Sequence, residues 1–172
     1  MSFLSYPPAR YGGTTGLVNA SFRPADTPPD LVSEGHDGGR TGASERQETH
    51  YLATGASTGG EFGLYRIDMP PNGKGPTEHF HKTMSESFFV LSGSVALYNG
   101  EKWIDGMPGD FLYVPIGGLH AFHNATDEPA SLLLLFTPGA PREGYFEGFR
   151  DLPGMTEEEK HEFFLRHDNH FV

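Results

Sequence analysis

Within Gly73–Gly93 stands His79-Phe80-His81, followed five positions after His81 by Glu86. On an extended strand, positions i and i+2 project to the same face, so the two imidazoles point together. Glu86 opens the next apolar run and can return its carboxylate to that side. A third imidazole, His120, lies beside Pro115 and Gly117-Gly118. Three neutral imidazoles and a carboxylate make a nitrogen/oxygen donor set suited to a divalent first-row metal. The chain has no cysteine, which excludes a thiolate zinc site, a disulfide scaffold and a cysteine nucleophile. Taken singly, each of these residues has an ordinary reading as a surface histidine or a strand-end carboxylate. The joint spacing carries the inference.

The elements that must position these residues read as short strands. Residues 50–53 and 62–69 are the first two, and Pro70-Pro71-Asn72-Gly73 then breaks the chain. Residues 87–91 and 95–98 follow, and Asn99-Gly100 is a hairpin turn leading into a return strand at 102–104. Runs at 111–114, 120–123 and 131–136 complete a set of about eight, which suits a sandwich or small barrel. Gly93 and Gly109 fall at strand ends where a turn can require positive φ, and Asn124 can tie the turn beyond His120. Residues 1–48 are punctuated by Pro and Gly pairs and read as an irregular N-terminal arm, either mobile or packed across a barrel mouth through Phe3, Tyr6, Tyr11 and Phe22. Residues 49–140 form the expected β-barrel. Residues 141–172 form a helical segment, with a short helix over 142–149 and a second opened by the capping box Thr156-Glu157-Glu158-Glu159. Phe163, Phe164 and Leu165 supply the apolar face of the second helix.

The spacing resembles that of the cupin superfamily. Gly73, His79, His81, Glu86 and Gly93 fill its first motif, and Gly109, Pro115, Gly117, His120 and Asn124 fill its second. The resemblance covers residues 50 to 140. It implies an all-β fold, a small double-stranded β-helix (jelly-roll) barrel with the metal inside one end. It also implies His79, His81, Glu86 and His120 as ligands of one divalent transition metal ion, with Fe, Mn, Ni, Co, Cu and Zn all compatible. The surroundings of the motifs, including the Thr137-Pro138-Gly139 turn and the segment Gly144–Phe149, look like the single-domain, quercetin 2,3-dioxygenase-like cupins.

That resemblance implies ring-cleaving dioxygenation of a small aromatic or polyphenolic molecule, with O2 as co-substrate and Glu86 accepting the proton of an enol or phenol hydroxyl. Strand parity adds an apolar pocket: Phe88 and Val90 share the face of Glu86, Phe122 shares that of His120, and Tyr65, Phe111 and Phe136 are further candidates. Two alternatives keep the metal. One is a polyketide cyclase or isomerase using a redox-inert ion as Lewis acid; the other is a binding module without catalysis. Of the remaining histidines, His36, His161, His167 and His170 read as solvated side chains in loops or the tail. His123 faces away from His120, and His50 could face the barrel interior.

Lys and Arg number 12 against 23 Asp and Glu, giving a net charge of −11, which argues against nucleic-acid and anionic-membrane partners. The longest apolar run, Leu132–Phe136, is too short to span a bilayer, and no signal peptide is visible. The expectation is a soluble, cytoplasmic protein. No helix-turn-helix precedes the barrel, which argues against a transcription regulator. The resemblance to cupins implies a homodimer, through exchanged N-terminal strands or sheet packing, and the long arm fits that.

Overall fold

A computed structural model describes residues 6–34 and 46–172. Eleven strands and two helices are described. The strands are β1 (Leu31–Glu34), β2 (Arg46–Ala53), β3 (Gly63–Met69), β4 (His79–Phe80), β5 (Ser85–Ser92), β6 (Val95–Tyr98), β7 (Trp103–Gly106), β8 (Phe111–Val114), β9 (Ala121–His123), β10 (Ala130–Thr137) and β11 (His170–Phe171). The helices are α1 (Glu143–Gly148) and α2 (Glu157–Arg166), separated by a 3-10 turn over Phe149–Gly154.

Alternation explains the layers. In β3 the odd positions Tyr65, Ile67 and Met69 are buried and the residues between them are half-buried. The leucine run of β10 alternates in the same way, with Leu132, Leu134 and Phe136 buried. The six-stranded sheet runs β1-β2-β3-β10-β5-β8, so β10 lies between β3 and β5. Its register sets Leu134 opposite Tyr65 on one side and opposite Phe88 on the other. The opposing sheet, β7-β6-β9, contributes Val95, Leu97 and Phe122 to the same core. The pattern is the double-stranded β-helix expected from the sequence. Gly93 (φ 69°) turns between β5 and β6 where a Cβ would come within 2.4 Å of the Pro129 carbonyl oxygen, and Gly109 (φ 96°) turns into β8.

Three features differ from the sequence reading. Residues 31–34, inside the segment expected to be irregular, pair with β2 as a strand, and β2 itself begins at Arg46 rather than His50. The remaining described arm, residues 6–30, carries no regular element, and Tyr6 and Phe22 are exposed on it. Phe3 and His36 lie outside the described residues. Third, the tail ends in β11, which pairs with β4. A dipeptide strand flanked by Asp168-Asn169 has no period to detect, so only the partner strand reveals it. The capping box at Thr156 forms as read, with the Glu159 amide donating to the Thr156 hydroxyl and Glu159 accepting from the Thr156 amide. On α2, Phe163 is buried and Phe164 half-buried, but Leu165 is exposed. Among the described residues no helix is long and apolar enough to cross a membrane.

Candidate metal centre

The two motif segments meet through backbone hydrogen bonds. The His79 amide donates to the His120 carbonyl (3.0 Å) and the His120 amide donates to the His79 carbonyl (2.9 Å). This bridge places β4 against the lead into β9 and brings the two rings to 4.2 Å between centroids. The Gly117 amide donates to the His81 carbonyl at 2.7 Å, which holds the loop before His120 against the same segment. Glu86, the second residue of β5, faces inward with Phe88 and Val90. All four side chains are buried, and one ligand atom from each lies within 4.8 Å of every other.

The imidazoles are oriented from behind. His79 Nδ1 lies 2.8 Å from the Thr77 carbonyl oxygen, His120 Nδ1 lies 2.9 Å from that of Gly118, and His81 Nδ1 lies 2.6 Å from that of Asp168. A carbonyl can only accept, so each Nδ1 carries its proton and each Nε2 is turned to the centre. His81 Nε2 and His120 Nε2 lie 3.0 and 2.9 Å from the same oxygen, Glu86 Oε2. A neutral ring of this tautomer aims a lone pair at the carboxylate, and two lone pairs at this range repel. A cation among the four atoms, or a second proton on the rings, removes the repulsion. The donor set therefore fits a divalent metal, with the outer hydrogen bonds that ligating histidines ordinarily have.

Burial alone would raise the Glu86 carboxyl, but when His120 and His81 carry a second proton their Nε2–H groups donate to it, outweigh burial and hold it below the usual carboxylate range. Burial lowers His79 to about 3, assisted by His120 and His81, so this ring is neutral and ready to ligate. For His120, burial acts downward but the Glu86 hydrogen bond more than offsets it, and the ring ends above its ordinary value.

Glu86 and His79 face a cavity of about 1050 Å³ whose walls include Ile67, Phe122, Leu134 and Phe136 from the barrel. Tyr145, Phe146 and Phe149, from the α1 region, close one side of it, and β1 contributes Leu31 and Val32. The pocket residues read from the sequence divide accordingly. Phe122 and Phe136 line the cavity. Tyr65, Phe88 and Val90 are fully buried but pack in the core away from it. Tyr65 donates its hydroxyl to Glu143 at 2.6 Å and stacks edge-on with Phe136. Phe111 is a correction: it is 63% exposed, because it pairs with Phe89 on the outward parity of β5 and β8.

The other histidines are also placed. His50 is buried beside Glu48 and Asp68, but its Nε2 lies 2.7 Å from an Arg66 nitrogen, a cation at the position a metal would need. His123 packs on Trp103 outside the centre, and His161 is exposed. His170, read as solvated, instead stacks on Phe80 at 5.1 Å, and the half-buried His167 packs on Phe163 at 4.7 Å.

Sequence reasoning missed the tail. Asp168, at φ 57°, gives its carbonyl to His81, while its carboxylate accepts from the amides of Lys82 and Thr83 and the Thr83 hydroxyl. Asn169 is buried between Arg142 and Tyr145. An Asp-Asn pair after a capped helix was a signal for a helix stop, but nothing local said what it would touch.

The comparisons with known proteins bear on the family and the fold. The Cupin domain family profile matches residues 65–136. The chain is 32% identical over 103 residues to the tetracenomycin polyketide synthase protein TcmJ of Streptomyces glaucescens, covering 58% of this chain and 68% of that one. It is 30% identical over 71 residues to quercetin 2,3-dioxygenase of Bacillus subtilis, covering 41% of this chain but 21% of that protein. A crystal structure described as a "predicted oxalate decarboxylase" of Thermotoga maritima superposes with a TM-score of 0.55 at 18% identity, over 66% of this chain and 95% of the other.

Proposed function

Since this chain belongs to the cupin superfamily, we propose that it is a metal-dependent enzyme acting on a small, planar, phenolic or enolic molecule. The observation that carries this reading is the convergence of three carbonyl-anchored imidazoles and Glu86 at one wall of a large aromatic cavity. His79, His81, Glu86 and His120 would hold the ion, which when bound supplies Lewis acidity toward a substrate oxygen.

The chain's own residues then divide the remaining work. Glu86 stands at the cavity wall as a carboxylate, placed to take the proton of a substrate hydroxyl. Phe122, Phe136 and Leu134 present flat apolar surfaces that seat a ring against the centre and exclude water. Tyr145 and Phe146 cover the ring from the α1 side.

The reaction class assigned first is quercetinase-like ring cleavage, with both atoms of dioxygen entering the product. The match to the Bacillus subtilis dioxygenase and the aromatic walls support it. A second reading, cyclisation or isomerisation of a polyketide-like ketone, is favoured by the longer match to TcmJ. Both share the Glu86 proton transfer and differ in their demand for oxygen. Oxygen uptake by the metal-loaded protein across a panel of flavonols and other polyphenols tests the choice. Uptake stoichiometric with substrate loss is expected. Conversion of an aromatic ketone under nitrogen, without uptake on any phenol, would replace the first reading by the second.

A further inference from the structure

Arg142 is buried at 3% exposure and is one of the residues lining the cavity. Its Nη1 donates to the His167 carbonyl at 2.6 Å and its Nη2 to Asn169 Oδ1 at 2.9 Å. Both acceptors are neutral. Its Nε has no partner, and among the described residues no other buried side-chain nitrogen or oxygen is left so. No carboxylate among them forms an ion pair with the guanidinium. The nearby α1 acids are engaged elsewhere: Glu143 accepts from Tyr65 and Glu147 from Tyr51. Instead the guanidinium lies over aromatic faces, 4.1 Å from the Tyr145 centroid and 4.9 Å from that of Phe136.

A buried cation without a counter-ion is costly, and an unpaired buried donor adds to that cost. Arginine cannot shed the charge as lysine can. Two of its five N–H groups tie down the tail, and Nε is left without a partner among the described residues. Phe136 fixes where a partner would lie. Its backbone is in register with Glu86 across β5 and β10, its ring is 6.1 Å from the His81 ring, and the guanidinium rests on it. The cation therefore stands about one aromatic side chain away from the ligand cluster.

We propose that Arg142 is the receptor for an acidic oxygen of the substrate, so that the molecule this cavity takes is an anion: a planar hydroxyaryl or enolic acid. Its hydroxyl turns toward Glu86 and its carboxylate meets the Arg142 guanidinium at the cavity wall. This rests on the reading of the cavity as a substrate site and narrows the substrate class. An arginine–carboxylate hydrogen bond is charge-assisted and stronger than one to a neutral oxygen, so charge is what the site discriminates.

The test is a fluorescence titration of the metal-loaded protein with 6-hydroxy-2-naphthoate and with its methyl ester, which keeps the shape and removes the charge. The acid should bind the wild type about tenfold or more tightly than the ester, a modest share of what a desolvated charge-assisted bond can give. Arg142→Met should bring the acid-to-ester ratio to about one, and Arg142→Lys should keep part of it because the charge is retained. Equal affinity of acid and ester for the wild type overturns the proposal, as does absence of binding by the acid or an unchanged ratio in Arg142→Met. Should Arg142→Met fail to fold, the wild-type and Arg142→Lys ratios decide; an ester preferred by either overturns it. Metal content of a His79→Ala variant separates the two readings. Metal lost there, with no acid preference in the wild type, leaves the metal centre standing and removes the anion receptor. Acid preference with metal content unchanged does the reverse.

Discussion

Each of the three centre histidines spends its Nδ1 proton on a backbone carbonyl, and that choice decides what its other nitrogen can do. The tautomers are set by the backbone and need no metal to form. Removing one ring takes away a donor and leaves a buried void that water enters. His79→Ala and His120→Ala should each lose bound divalent metal, read by elemental analysis of the purified protein; full metal content in both would remove these residues from the ligand set. Glu86→Gln keeps the shape and one oxygen donor but cannot accept the proton. It should retain part of the metal while turnover falls by about 10²–10⁴-fold, the usual contribution of a general base. Full turnover in Glu86→Gln would remove it from that role.

Among the elements, the pairing of β4 with β11 matters most, because neither strand is long enough to persist alone. His170 stacks on Phe80, and the Asp168 carboxylate caps the turn after His81. The C-terminal segment thus holds a ligand strand from outside the barrel. Asp168→Ala removes the carboxylate that accepts from Lys82, Thr83 and His170 and also loses a residue type that tolerates positive φ. Metal affinity in Asp168→Ala should fall about 10–100-fold, as for loss of an outer-shell partner, whereas Asp168→Asn, which keeps the φ tolerance and an acceptor oxygen, should fall less. Competition with a metallochromic chelator measures both, and equal affinities for wild type and Asp168→Ala would refute the support role.

For the whole molecule, acid acts on folding through imidazoles held below their ordinary value, His79 at the centre and His167 in the tail. His167 is held below the ordinary imidazole range, first by burial and then by Arg142 and Arg166. The unfolded chain therefore takes up a proton more readily than the folded one, so stability is complete above the unfolded imidazole pKa and is lost as pH falls toward the folded one. The thermal unfolding midpoint should drop between pH 7.5 and 5.5, and the drop should be smaller in His167→Gln. An identical drop in both would place the acid sensitivity elsewhere.

By itself the sequence determined most strands of the barrel (but not β1 or β11), the turns at Gly93 and Gly109, the capped second helix and the four residues that converge. All of these follow from periods of two, from glycine conformations and from spacing, which are local and survive in one dimension. Parity also placed Phe88 and Val90 on the same face as Glu86, but it could not say which inward residues meet the cavity and which meet one another; Phe122 and Phe136 do the first, and Tyr65 and Phe88 the second. Phe111 shows the limit, since its side depends on which face of an edge strand is covered. The tertiary structure alone decided that Asp168 orients His81, that β11 completes β4, that β1 walls the cavity and that Arg142 Nε stands buried without a hydrogen-bond partner among the described residues. Those contacts join residues far apart in the chain through single hydrogen bonds or one aromatic face. No periodicity records them, because they are fixed by where β1 and the C-terminal segment pack on the barrel.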